Sequence, residues 1–89
     1  MRKSLFAVGL ALLAGQPALA AELCEGGPRE QWMTSDEIEK IVVEMGYSTD
    51  DYMLMIEDGC LEAKLTHEGD RIEIYFEPIT GEVMKVKQE

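Results

Sequence analysis

The sequence predicts an α+β fold: one N-terminal helix packed on a four-stranded antiparallel meander sheet. Three observations carry that prediction. A single stretch, from Thr34 to Gly46, repeats its apolar residues at the helical period. From Tyr52 onward the period changes to two. Three short turn signals, Asp58-Gly59, Glu68-Gly69 and Ile79-Thr80-Gly81, divide that second region into four strands.

The helix is specified at both ends. Thr34-x-x-Glu37 is a capping box, in which each side chain takes up a backbone N–H at the helix start. Met33 and Ile38 are spaced for a hydrophobic staple. Ile38, Ile41, Val42 and Met45 form one buried face. Asp36, Glu37 and Glu39 suit the positive end of the helix dipole, and Gly46 can take the left-handed conformation that stops it.

The strands are expected at Tyr52–Glu57, Cys60–Thr66, Arg71–Glu77 and Val83–Lys87. The turns then fix the register. The first pairs Ile56 with Leu61, Leu54 with Ala63 and Tyr52 with Leu65. The second pairs Leu65 with Ile72, Ala63 with Ile74 and Leu61 with Phe76. The third pairs Phe76 with Met84 and Ile74 with Val86. Every pair is apolar and falls on the helix side. The other face receives Met53, Met55, Cys60, Glu62, Lys64, Glu73, Tyr75, Lys85 and Lys87, with Lys64 and Lys87 flanking Glu73.

Ahead of the helix the chain divides into an address and a lead. Arg2 and Lys3 precede an uncharged apolar run, Leu5 to Gly15, and Ala18-Leu19-Ala20 closes it. This is the pattern of a secretory signal peptide over residues 1–20, with cleavage after Ala20. The run is too short to span a bilayer comfortably, so no stable membrane insertion is expected after cleavage. The expected domains are the signal peptide at 1–20, an irregular lead at 21–33 and the folded unit at 34–89. Its bacterial look points to the periplasm or to secretion.

An exported chain with two cysteines, Cys24 and Cys60, is expected to join them in a disulfide. A loop of that length is worth about 3–4 kcal/mol in the chain-entropy account. The bridge would draw the lead toward the face opposite the helix.

Composition excludes several functions. Eight basic residues stand against 18 acidic ones in 89, a net charge of −10. Losing Arg2 and Lys3 leaves six basic residues and a net charge of −12. Such an acidic chain is a poor nucleic-acid binder, and its length leaves no room for a cofactor-binding α/β enzyme; no cofactor is expected. The lone histidine, His67, falls on a turn, where a solvated role is the simpler reading. Ser35 and Ser48 flank the helix and read as end residues rather than as nucleophiles. No catalytic constellation emerges, and the chain is expected not to be an enzyme. Glu57-Asp58 with Glu68 or Asp70 lack the spacing of an EF-hand calcium loop. Trp32 is expected to pack beside the helix start.

Met53 and Met55 are the most informative residues of the sheet. Their spacing places both thioethers on the open face, where they can pack, meet a partner, or bind Cu(I). Tyr75 shares that face, and the three are the expected partner anchors. The two outer strands each leave an edge to which an extended peptide could add.

Taken in order, Trp32-Met33, Gly46-Tyr47, Glu57-Asp58-Gly59-Cys60, Gly69 and Tyr75-Phe76-Glu77-Pro78-Ile79-Thr80-Gly81-Glu82-Val83 resemble the PepSY domain family. The resemblance runs from about Cys24 to Lys87, and its last piece is the most specific. It implies a non-catalytic interaction module, a regulator or inhibitor of an envelope peptidase, with a peptidase or other envelope protein as partner. The alternative is a periplasmic copper-handling protein that uses Met53 and Met55.

Overall fold

The computed structural model describes residues 22–89; the signal peptide expected at 1–20 lies outside the described residues. A 3₁₀ turn, Arg29–Gln31, leads into the single α-helix α1, Ser35–Glu44. Four strands follow: β1 Met53–Glu57, β2 Cys60–His67, β3 Asp70–Phe76 and β4 Val83–Gln88. They pair in the order β1-β2-β3-β4, an antiparallel meander. The fold class is the expected one, with one adjustment: the helix precedes the sheet but begins only at Ser35, behind the lead.

The ends of α1 are built as the sequence implies. The Glu37 N–H donates to Thr34 Oγ1 at 3.2 Å and the Thr34 N–H donates to Glu37 Oε1 at 2.8 Å. At the other end Gly46 has φ 97°. The Tyr47 N–H donates to the Val42 carbonyl and the Gly46 N–H to that of Val43, the two bonds of a Schellman cap.

The first two hairpins have the expected register throughout their ladders. Asp58 and Gly59 have φ 58° and 77°, and Glu68 and Gly69 have φ 52° and 87°. Positive φ at both central residues defines the tight turns that match strand twist. Tyr52 falls just outside β1: its N–H donates to the Thr49 carbonyl and its hydroxyl to that of Ser35.

The third hairpin differs. Phe76 pairs with Val83 rather than Met84, and a bulge follows between Tyr75 and Phe76. The cause is a turn closed one residue earlier than expected. The Glu77 N–H donates to the Glu82 carbonyl at 2.8 Å, while the Glu77 carboxylate accepts from the N–H groups of Ile79 and Thr80. The bulge restores the expected pairing of Ile74 with Val86.

Ile38 and Val42 of α1 pack on Leu61, Ala63, Leu65, Ile72, Ile74 and Phe76, all from the two central strands. A helix about 10 Å across covers roughly two strands spaced about 4.8 Å apart. The outer strands therefore keep Ile56, Met84 and Val86 exposed.

A smaller cluster lies on the opposite face, where Cys24, Cys60 and Tyr75 are buried together with Leu23 beside them. Cys24 and Cys60 form the expected disulfide. The Cys24 N–H donates to the Asp58 carbonyl, fastening the lead to the first hairpin. The Trp32 indole N–H donates to the carbonyls of Gly26 and Gly27, and the Arg29 guanidinium lies 4.5 Å from its ring centre. Trp32 thus holds the lead together.

Candidate functional site

Strand β1 is an edge, hydrogen-bonded only to β2. In a two-residue hairpin the pair flanking the turn, here Glu57 and Cys60, exchanges both backbone bonds, and such pairs alternate along the ladder. Glu57, Met55 and Met53 thus turn their backbone groups inward to β2. Leu54 and Ile56 turn their N–H and C=O groups to the free edge.

The side chains on this edge are apolar on both faces. Met53 is 58% exposed and Met55 36%, on the face away from the helix. Ile56 is 48% exposed on the helix side, with Leu54 half-buried beside it. Beside Met53 a shallow pocket is lined by Asp51, Lys64, Leu65 and Arg71. The Asp51 carboxylate accepts from the Thr66 hydroxyl at 2.7 Å and from its N–H at 3.0 Å. Those two bonds hold its pKa below the usual carboxylate range.

Tyr75 does not join this surface. It is only 8% exposed, against the disulfide, and the expectation that it stands out as an accessible anchor is corrected. The lead segment tied down by Cys24 and the neighbouring side chains cover it. Burial, and then the charge of Glu62 across the ladder, push its phenol up to about 12. Lys85 lies 5.4 Å from its ring centre.

Glu62 escaped the reading from alternation, which assigns it to the open face and says nothing of cover. It is 2% exposed, flanked on the ladder by Met55 and Tyr75. Burial, reinforced by the hydrogen bond and charge of Glu73, raises its pKa. Lys87 approaches Glu73 at 3.7 Å.

The remaining candidates are dispersed. His67 lies edge-on to Tyr47, with ring centres 4.9 Å apart, and 3.7 Å from a Glu68 carboxylate oxygen. The Ser48 hydroxyl accepts from the Asp50 N–H. Glu57-Asp58 and Glu68 with Asp70 stand at opposite ends of β2. Among the described residues no group of three His, Cys, Asp or Glu could hold a metal ion. Lys64 faces Met53 directly across the ladder, a positive charge beside one of the two thioethers. Among the described residues, no helix is long and apolar enough to cross a membrane.

A family model described as "Peptidase propeptide and YPEB domain", PepSY_2, matches residues 4–87. The chain belongs to this PepSY family. No curated protein and no solved structure matches it.

Proposed function

We propose that the chain is an exported, non-catalytic PepSY module that binds and regulates an envelope peptidase in the periplasm or outside the cell. The observation that carries this reading is β1: an edge strand with free backbone groups and exposed apolar side chains on both faces. Strand addition to such an edge is a general mode of peptide recognition. The family's description, which joins this domain to peptidase propeptides, supplies the class of partner. Residues 1–20 supply the export signal and are removed, leaving a lead at 21–33 and the folded unit at 34–89.

Met53 and Met55 are the anchors; with Tyr75 buried, Ile56 takes its place as the third. Lys64 beside Met53 favours a protein partner over Cu(I) at this pair.

The test is co-purification of the tagged mature chain from envelope extract, followed by a peptidase assay on the eluate with and without added chain. A retained peptidase whose rate changes with added chain, and whose retention is lost with Met53→Asp, supports the reading. Retention of no peptidase, or hydrolysis by the chain itself, contradicts it.

A further inference from the structure

Charge along the exposed edge narrows the partner. No lysine or arginine occurs between Lys40 and Lys64, while Glu44, Asp50, Asp51, Glu57 and Asp58, all exposed, fall in that interval. The two ends of β1 are not equivalent. At the Met53 end, Lys64 and Arg71 line the same pocket as Asp51 and offset its charge. At the hairpin end Glu57 faces Cys60, Ile56 faces Leu61 and Met55 faces Glu62, so the ladder brings no cation there.

We propose that β1 receives an extended basic segment of its protein partner, paired through Leu54 and Ile56, with its lysines or arginines set against Glu57 and Asp58. The inference rests on the binding-module reading above and names the chemistry of the segment that it binds. Apolar side chains of the segment would alternate between Met53 and Met55 on one face and Leu54 and Ile56 on the other.

A second copy of this chain fits the edge poorly. Antiparallel self-pairing through the outward groups of Leu54 and Ile56 sets Met53 opposite Glu57 and Tyr52 opposite Asp58. No cation is gained by such a pair from the second β1, which has none, and two mature chains, each at −12 once Arg2 and Lys3 are lost, repel one another as wholes. The other edge, β4, is a weaker acceptor: it carries Lys85 and Lys87 and is interrupted by its bulge.

The experiment compares two blocked synthetic peptides with the same Thr-Val alternating core, one flanked by lysines and one by glutamates. Binding to the mature chain is followed by backbone amide shifts and by hydrogen exchange. The lysine peptide should bind about fivefold more tightly at low salt, the size expected of two partly exposed ion pairs. The preference should shrink as salt rises, and protection should appear at the Leu54 and Ile56 amides. Glu57→Lys, with core amides unshifted, should remove most of the preference. Equal affinity, preference for the glutamate peptide, no binding of either, self-association through β1, or protection on α1 or β4 instead would each overturn the proposal. Retention of a peptidase alongside such a result would leave the binding-module reading standing; loss of that retention while the lysine peptide still binds would do the reverse.

Discussion

Glu62 and Glu73 lie diagonally across β2 and β3 on the face away from the helix, two buried carboxyl groups side by side. Burial, and the like charge of Glu73 beside it, favour a proton on Glu62. The groups facing the pair are Tyr75 and Met55 across from Glu62, and Lys64 and Lys87 across from Glu73. The folded-state pKa of Glu62 is raised, so its stabilising contribution is complete below the ordinary glutamate value and is lost as pH rises through the raised one. Glu62→Gln keeps a donor to Glu73 without that proton. Thermal melts should show the variant more stable than the parent at mildly alkaline pH, with the difference closing in acid.

Asp51 and Glu77 work in the opposite sense. Thr66 holds Asp51 low through two bonds, and the Ile79 N–H, with those of Thr80 and Gly26, holds Glu77 low. Their contributions are present above the ordinary carboxylate values and are lost as pH falls through the depressed ones. Thr66→Val should therefore flatten the acid limb of the stability profile and leave the alkaline limb unchanged.

Gly59 and Gly69 separate backbone strain from steric contact. Both have positive φ, 77° and 87°. A Cβ on Gly69 meets nothing within 4 Å, whereas one on Gly59 would strike the Cys24 carbonyl oxygen. Gly69→Ala should cost about 1–2 kcal/mol, the left-handed penalty alone. Gly59→Ala should cost clearly more, because the lead must also move. Urea titration of the two variants gives the comparison.

The disulfide should account for about 3–4 kcal/mol. Each kcal/mol shifts the melting temperature of a domain this size by about 4–8 °C. The double Cys24→Ser, Cys60→Ser variant should melt correspondingly lower, and thiol counting on the denatured, non-reduced parent should find no free thiol. Tyr75, which depends on the fastened lead for part of its cover, should become more accessible in the variant.

Much of this fold is legible because two turns, Asp58-Gly59 and Glu68-Gly69, set the register by local conformation, and that register assigns the residues of β1, β2 and β3 to their faces. The helix is equally legible from Thr34, Glu37 and Gly46. What alternation cannot supply is cover. It places Tyr75 and Ile56 on opposite faces but is silent on the lead over Tyr75 and on a ten-residue helix too narrow to reach Ile56. The third turn escaped for a different reason: the Glu77 carboxylate binds N–H groups inside its own turn, a side-chain bond that no turn dipeptide announces.

Hydrogen exchange at the Leu54 and Ile56 amides, with and without the retained partner, tests the central claim most directly. These two N–H groups face no neighbouring strand, and they should exchange fast in the free chain and slowly in the complex. Unchanged exchange at both, with new protection confined to α1 or β4, would contradict a docking edge at β1.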